Sequence, residues 1–368
     1  MKISRRRAIA LFGGGLVLAA AGTAAGFAAT RTPNAAIAPW SPAAREADPR
    51  RRALSYAILA PNPHNRQPWL ADLRQPDRIV IHRDSARNLP MTDPHDRQLT
   101  IGMGCFVELL AMAAAADGYA VDFAFFPEGE SGPVAVATFG EGGKADPLFA
   151  HVLDRRSCKE PFEARAVAAA SVAALSTHAR IVDDAARVAE LRELTWRAWE
   201  IEALTPRTYR ESVELMRFGK AEIEASPDGI DLGGAFLEGM MAFGLLTREQ
   251  QLDPSSMAFR QGVEIYRTML AATPAYAVLT SPSNGRLDQV EAGRRWLRLN
   301  LATTGLGLAL HPVSQALQEY AEMDGTRRQL HDLLAEPGQT VQMLGRLGYG
   351  PKPAPSPRWP VETRIVNG

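Results

Sequence analysis

The apolar residues of this chain recur at two periods, one typical of helices and one of strands. Two long segments, Arg97–Ala116 and Leu287–Thr304, have the length and pattern of long helices, and the first is apolar enough to be mostly buried. Tyr119–Phe126 alternates or runs apolar, which is typical of a strand. Similar tetrapeptides, Gly118-Tyr-Ala-Val121 and Gly307-Leu-Ala-Leu310, follow the two helices. This correspondence indicates two related halves on one chain.

Shorter elements fill the rest of both halves. Helices are predicted at Arg50–Leu59, Asp146–Asp154, Ala164–His178, Ala185–Leu204, Arg207–Ile223 and Thr326–Ala335, and strands at Trp69–Asp72, Arg78–Arg83, Pro133–Phe139, Ala275–Thr280 and Val341–Leu347. Because helices and strands mix without strict βαβ alternation, the sequence predicts an α+β fold rather than a doubly wound sheet. The predicted organisation is a linker at 31–49, a first half at 50–150 and a second half at 151–368.

One segment of the second half is apolar but poorly suited to a rigid element. Leu232–Leu246 contains pairs of Met and Phe residues and is interrupted by glycines. Two interpretations are open. The segment is either a buried helix or contact between the halves, or a lid that folds over a site.

The first thirty residues have the pattern of an export signal. Lys2 and the Ser4-Arg-Arg-Arg7 run form a basic region, and the 23 residues Ala8–Thr30 carry no charge. The arginine pair predicts the twin-arginine route and a periplasmic or other extracytoplasmic location. The apolar run is also long enough for an uncleaved membrane anchor, which stays open because the cleavage site is unclear.

The charge balance argues against a nucleic-acid partner. The chain has 41 basic and 41 acidic residues, and removing the four basic residues of the signal leaves 37 against 41, a net charge of −4. A hydrophobic content of 46% is ample for a large core. The two cysteines, Cys105 and Cys158, allow one disulfide in an oxidising compartment but no disulfide framework.

A proline-rich stretch, Ala60–Trp69, is the strongest candidate for a binding loop. Its three prolines exclude a helix interior and a central strand, and they stiffen the backbone. The loop presents hydrogen-bonding side chains suited to the polar edge of a planar heterocycle, namely Asn62, His64, Asn65, Arg66 and Gln67. The alternative is an ordinary surface connection that ends in a core tryptophan.

A second candidate is the basic turn within Asp154–Phe162. Three cations and a hydroxyl fall within five residues, and such a set can cradle a phosphate. The set consists of Arg155, Arg156, Ser157 and Lys159. The alternative is a solvated helix end.

Two further positions are weaker candidates. Gly305 and Gly307 let backbone approach a ligand closely, although a helix C-cap explains them equally well, and His311 is interpreted as a strand-end residue. Arg358 is a basic residue in the proline-rich tail. The sequence has no metal-binding His pair beside a Glu, no G-x-S-x-G elbow and no G-x-G-x-x-G after a strand. It therefore does not support a metal site, a serine-hydrolase active site or a Rossmann dinucleotide site.

The proline-rich stretch resembles the A-P-S-x-x-N-x-Q-P-W motif of the flavin-dependent nitroreductase family. The match holds at Ala60, Pro61, Asn65, Gln67, Pro68 and Trp69 and departs at Asn62, where the family usually has Ser. With a histidine at position 64, the motif resembles that of the Acg-like branch of the family, in which two nitroreductase-type halves lie on one chain. The basic turn resembles the R-R-S-x-R/K turn that holds the flavin phosphate, and by that match Arg155, Ser157 and Lys159 would be the ligands, with Arg156 less certain.

This resemblance implies a nitroreductase-like fold whose two halves form a pseudo-dimer within a monomer. It implies FMN as the cofactor, held by Pro61, Asn62, Pro63, His64, Asn65, Gln67, Arg155, Ser157, Lys159, Gly305, Gly307 and Arg358. One FMN per chain is expected, because the first half has only Arg50-Arg-Arg52 before its loop, and that run leads straight into helix.

The implied activity is oxidoreduction through the bound flavin. Electrons would pass from a small-molecule donor, such as a reduced nicotinamide, to a nitro, quinone or similar acceptor. The alternative is a flavin-storage protein that holds FMN without turnover. No catalytic side chain, metal or membrane contact beyond the export signal is implied.

Overall fold

A computed structural model describes residue 27, residues 30–41 and residues 46–367. The predicted export signal at 1–30 lies almost wholly outside the described residues and stays a prediction. The division into halves at 50–150 and 151–368 also stays a prediction.

The described strands form three sheets. They are β1 (Trp69–Asp72), β2 (Arg78–Arg83), β3 (Tyr119–Phe125), β4 (Ala135–Glu141), β5 (Arg180–Val182), β6 (Met216–Phe218), β7 (Ile230–Leu232), β8 (Ala275–Ser281), β9 (Ala309–Pro312), β10 (Thr340–Gly348) and β11 (Ile365–Asn367). The first sheet has the order β11-β1-β2-β4-β3, the second β5-β8-β10-β9, and the third pairs β6 with β7. β11 joins β1 in parallel, so the C-terminus completes the sheet of the first half.

The helices lie between and around these sheets. They are α1 (Asn34–Ile37), α2 (Pro49–Ala57), α3 (Arg97–Ala116), α4 (Ala169–Leu175), α5 (Ala185–Leu204), α6 (Pro206–Glu214), α7 (Gly219–Ala225), α8 (Ala235–Ala242), α9 (Arg248–Leu252), α10 (Met257–Ala271), α11 (Arg286–Gly305) and α12 (Asp324–Leu334). Short 3-10 turns lie at Ala38–Trp40, Pro63–Asn65, Ser85–Arg87, Pro147–His151, Gln315–Leu317, Ala321–Met323 and Val361–Arg364. Helices and antiparallel sheets are thus mixed, and the predicted α+β class is confirmed.

Local pattern located most elements, but it failed where pairing is non-local. The helix predicted at Arg207–Ile223 is broken into α6, β6 and α7, because β6 pairs in parallel with β7 and Gly219 then turns the chain at a φ of 77°. Leu232–Leu246 is not a buried helix, since no residue of α8 is buried. Phe236 and Phe243 are 77% and 82% exposed there.

The two long helices α3 and α11 cross at the centre of the core. An ideal Cβ on Gly293 would lie 1.9 Å from the Ile101 carbonyl oxygen, and one on Gly104 would lie 2.1 Å from that of Val290. At the same crossing, the Cys105 thiol lies 3.1 Å from the Gly293 carbonyl oxygen. Glycine on both helices therefore sets their separation. α3 is long and apolar enough to cross a bilayer, but most of it is buried in the protein, as core helices also are.

Both cysteines are buried as free thiols. Cys105 belongs to the main core, whereas Cys158 packs with Phe162 and Ala309 in a small separate cluster. Burial raises the pKa of the Cys105 thiol to about 12. The disulfide that the sequence allowed is therefore not formed.

The described part of the predicted linker packs against the body of the protein. α1 and the turn Ala38–Trp40 bury Ala36 and Trp40, which are 2% and 7% exposed. Trp40 itself was the available signal in the predicted linker, because a tryptophan seldom remains exposed in a linker.

Glu202 provides a pH-dependent test of packing away from the predicted site. Its carboxylate accepts hydrogen bonds from Gln318 Nε2 at 2.8 Å and Ser212 Oγ at 3.3 Å, joining α5, α6 and the Gln315–Leu317 turn. Burial raises its pKa from 4.5 to about 7, and the hydrogen bonds from Gln318 and Ser212 oppose that rise. The folded state therefore holds a proton that the unfolded chain releases, and stability falls as pH rises from 4.5 through 7.

Glu202→Gln is expected to flatten this slope. At pH 8 the variant should be more stable than the unchanged protein by up to about 3 kcal/mol, because the cost of the buried charge is removed. Urea unfolding at pH 5, 6.5 and 8 measures the effect. Glu193→Gln, at an exposed position on the same helix, is the matched control. A Glu202→Gln variant that retains the slope would contradict the assignment of the titrating group.

Candidate functional site

The proline-rich loop has a compact and strained backbone. His64, Asn65 and Gln67 take left-handed conformations with φ of 48°, 52° and 50°. Such conformations are uncommon for residues other than glycine, and they cluster at functional sites. Gly102 of α3 lets the loop approach, because an ideal Cβ there would lie 3.1 Å from Asn62 Cβ and 3.2 Å from Pro63 Cδ.

The amide side chains of the loop form hydrogen bonds with other groups of the protein. Asn62 Oδ1 accepts from the Gln67 backbone N at 2.7 Å. Asn65 donates to the Pro357 carbonyl at 3.1 Å and accepts from Arg358 at 2.6 Å. Gln67 accepts from the Trp359 backbone N at 2.9 Å. These residues therefore fix the shape of the loop and join it to the tail, and flavin contact by Asn62, Asn65 and Gln67 stays a prediction.

A buried ion-pair cluster joins the loop to the 216–246 segment. Asp228 binds Arg66 at 2.8 Å, Arg87 at 3.0 Å and Arg217 at 3.2 Å. Burial raises the pKa of Asp228, but the Ser226 hydroxyl and the three guanidinium groups together bring it below its ordinary value. Gln67 Nε2 also donates to the Pro227 carbonyl at 2.6 Å. The loop and the start of this segment thus form one rigid unit.

Two loop side chains keep a buried nitrogen without a hydrogen-bond partner among the described residues: the fully buried Trp69 and the half-buried His64. In His64 this nitrogen is Nδ1. Burial lowers the pKa of His64 to about 4, and the charges of Lys159 and Arg66 lower it further in the same direction. The imidazole is therefore neutral at pH 7 and offers one donor and one acceptor.

Lys159 brings the basic turn to the same place. Its side chain reaches solvent but is closely surrounded by protein, and this desolvation lowers its pKa, while nearby Asp231 opposes the change. His311, the third residue of β9, is buried beside Arg346, and burial followed by the charges of Arg346 and Lys159 lowers its pKa well below 6.5. The charge of Lys159 therefore acts on two neutral imidazoles, His64 and His311.

Arg155 and Arg358 lie directly beneath the loop. Arg155 donates to the Leu59 carbonyl at 2.8 Å, and Arg358 donates to the Leu59 and Ala60 carbonyls at 3.2 Å each. Both are buried, at 3% and 2% exposed. The basic turn, the tail and the first residues of the loop therefore meet at one point.

These two residues and Arg156 form a cluster of positive charge, which we call the arginine cluster. Among the described residues none of the three forms a salt bridge, and the nearby Asp154 pairs with Lys352 instead. The Nε of each is buried without a hydrogen-bond partner in the described part of the chain. Burial lowers the pKa of Arg155 to about 10, and burial with the charges of Arg155 and Arg156 lowers that of Arg358 well below its ordinary value.

A buried arginine cluster with no carboxylate partner among the described residues would suit an anion. Buried charges in proteins are normally paired, and unpaired buried donors are costly. Three guanidinium groups with free Nε donors fit the several acceptor oxygens of a phosphate. The structure thus brings together Arg155, Lys159 and Arg358 near the loop, with Ser157 half-buried between the first two in sequence.

The two predicted glycines lie at and just after the end of α11. An ideal Cβ on Gly305 would lie 2.6 Å from His151 Nε2, so Gly305 packs against that imidazole. Gly307 follows α11 at a φ of 68° and has open space around it. Their geometry matches the helix C-cap alternative, and a role in flavin contact stays a prediction for both.

Sequence reasoning missed Trp40, Asp228 and Asp231. Each interacts with at least one partner more than 60 residues away in the sequence, and no local motif identifies these three residues. Arg156 was noted as less certain, and the doubled arginine was its signal. The two described cavities, of about 280 and 520 Å³, are lined by α5 and α10 and by the start of α11, and neither is bordered by the predicted site residues.

Comparisons with known proteins give only distant matches. No family model matches the sequence, and no curated protein does so either. Among solved structures, the FMN-dependent nitroreductase NfnB from Mycobacterium smegmatis, in complex with NADPH, is 20% identical, with coverage of 59% of this chain and 96% of that one and a TM-score of 0.36. A nitroreductase with bound FMN from Bacteroides fragilis is 14% identical, with coverage of 57% and 91% and a TM-score of 0.32.

A putative nitroreductase from Anabaena variabilis is 13% identical, with coverage of 74% of this chain and 69% of that one and a TM-score of 0.39. Identities and TM-scores at this level identify neither an activity nor a ligand for this chain. The chemistry therefore has to be argued from the residues of the site.

Proposed function

We propose that this protein is an FMN-binding oxidoreductase of nitroreductase type. The observation that carries the proposal is the arginine cluster, which lies beneath a nitroreductase-like loop and has no carboxylate partner among the described residues. A phosphate monoester would supply the missing acceptors and offset the mutual repulsion of the three arginines.

The residues present fit FMN in two parts. Arg155, Arg156, Ser157, Lys159 and Arg358 would hold the phosphate. The prolines and the neutral imidazole of His64 would lie against the ring system, and the imidazole can donate to or accept from its polar edge. The bound flavin would supply the redox chemistry, while the chain binds, orients and sets the charge around it.

One flavin per chain is supported by the different state of the arginines in the first half. Arg50 bonds to Asp48 at 2.7 Å and to the Leu73 carbonyl at 3.0 Å, and Arg52 pairs with Asp117. These side chains are already paired, in contrast to the arginine cluster. We propose a monomer whose two halves act as a pseudo-dimer, exported by the twin-arginine route, with a small-molecule donor and a nitro, quinone or similar acceptor.

Flavin content tests the proposal directly. The purified protein is expected to be yellow and to contain one FMN per chain and no FAD. Extraction, chromatography of the flavin and protein quantification give the ratio. A ratio near two, or a colourless protein that does not take up added FMN, would contradict the proposed site.

A second candidate function, flavin storage, is favoured by the rigid attachment of the 216–246 segment. Asp228 binds three arginines at its base, and Asp231 is near enough to Lys159 for their charges to interact. A segment fixed in this way would restrict the access of a donor and an acceptor to the ring.

Anaerobic reduction separates the two functions. An oxidoreductase should bleach with both reduced nicotinamide and dithionite and should reoxidise with a nitroaromatic. A storage protein should bleach slowly with dithionite and not at all with nicotinamide, even after residues 232–246 are shortened. That second result would overturn the oxidoreductase assignment while leaving FMN binding intact.

A further inference from the structure

The N-terminal arm, residues 30–41, is attached to the tail that carries Arg358. The backbone N of Arg358 donates to the Ala36 carbonyl at 2.8 Å, and Trp40 Nε1 donates to the Ser356 carbonyl at 2.7 Å. Ala36 and Trp40 are both buried. The arm is therefore part of the folded body where it passes the predicted site.

Trp40 presents its ring to the arginine cluster. The guanidinium carbon of Arg156 lies 4.4 Å from the ring centroid, and those of Arg358 and Arg155 lie at 5.5 and 5.6 Å. Cations within about 6 Å of an indole ring are attracted by its quadrupole. Since no described carboxylate pairs with these arginines, the indole acts together with the backbone carbonyls of Leu59 and Ala60 to stabilise their charges and fix their positions.

The other end of the arm contacts the 216–246 segment. Arg31 pairs with Glu238 of α8 at 3.1 Å, Lys220 Nζ donates to the Thr30 carbonyl at 3.2 Å, and the Ala35 backbone N donates to Glu224 at 3.4 Å. The arm thus spans from the segment that adjoins Lys159 to the cluster beneath the loop.

We infer that the arm belongs to the cofactor site and that Trp40 is a positioning residue for the arginine cluster, which sets how long a phosphate-bearing flavin is retained. This inference rests on the proposed FMN site. A phosphate leaves only after its arginines separate from it, and Trp40 holds those arginines together. The effect should depend on the phosphate, because the polar and cation–π contacts given for Trp40 join it to the three arginines and to Ser356 of the tail.

Trp40→Ala tests the inference in the full-length exported protein. Release of FMN, followed by the recovery of flavin fluorescence after dilution, should be at least tenfold faster than in the unchanged protein. The affinity for riboflavin, which lacks the phosphate, should stay the same. Trp40→Phe keeps an aromatic face and should restore most of the retention. Trp196→Ala, which removes a half-buried tryptophan of α5, is the control and should leave both flavins unaffected.

The outcomes separate this inference from the proposed function. Failure of the unchanged protein to bind FMN would overturn both. Normal FMN binding with an unaltered release rate in Trp40→Ala would overturn the inference alone. Equal weakening of FMN and riboflavin would also overturn it, since that result is expected of a merely structural tryptophan. Thermal unfolding of each variant identifies any loss of fold, and Trp40→Phe then decides the matter.

Discussion

Gly293→Ala is expected to destabilise the protein by more than about 4 kcal/mol, a size that is exceptional for a point mutation. The added Cβ would lie 1.9 Å from the Ile101 carbonyl oxygen and 2.9 Å from the Cys105 backbone N. These atoms belong to the backbone of α3, so no side-chain rotation can relieve the overlap. The helices α3 and α11 would have to separate at the centre of the core. Urea unfolding followed by circular dichroism measures the change.

Gly325→Ala is the matched control for this substitution. Gly325 is also helical, in α12, but an ideal Cβ there meets no atom within 4 Å. Alanine is favoured over glycine in helices by up to about 1 kcal/mol, so this variant should be as stable as the unchanged protein or slightly more stable. If the two variants unfolded at the same urea concentration, the close approach of α3 and α11 would be wrong.

Much of the fold could be predicted because the local spacing of apolar and polar residues indicates many of its helices and strands. The bounds of α3 match the predicted helix, and β1 and β2 begin and end where alternation placed them. β6 could not be found in this way, because three residues become a strand only by pairing with β7. β11 was missed for the same reason, since its partner β1 lies almost 300 positions earlier.

The candidate site shows the same division between local motif and tertiary partner. The proline-rich loop and the basic turn were recognised from their residues, but their meeting depends on Arg155 reaching Leu59, 96 positions away. Sequence reasoning directed Asn65 and Gln67 toward a ligand because their amides can bond in any direction. Their left-handed backbone and the partners Pro357 and Trp359 direct them into the protein instead. The sequence motif identifies candidate residues of a site, whereas their orientation depends on tertiary packing.

Arg155→Gln combined with Lys159→Gln is expected to weaken FMN binding at least a hundredfold. Each side chain would give a charge-assisted hydrogen bond to the phosphate, worth roughly 1.5–3 kcal/mol. Loss of both costs at least about 3 kcal/mol, which is a factor of roughly a hundred in the dissociation constant. Titration with FMN, followed by quenching of its fluorescence, measures the affinity. Riboflavin should bind the variant and the unchanged protein alike, because it does not use the phosphate site.

The control removes the same two charges elsewhere. Arg165→Gln with Lys144→Gln changes two exposed side chains, and it should leave FMN affinity within a factor of two or so of its original value, as expected for surface charges. Equal losses in the two double variants would show that overall charge, rather than the basic turn, attracts the flavin. Retention of FMN by the Arg155 and Lys159 variant would assign the turn to an ordinary helix end. A parallel loss of riboflavin would instead locate the damage in the loop, through the carbonyl of Leu59 that Arg155 holds in place.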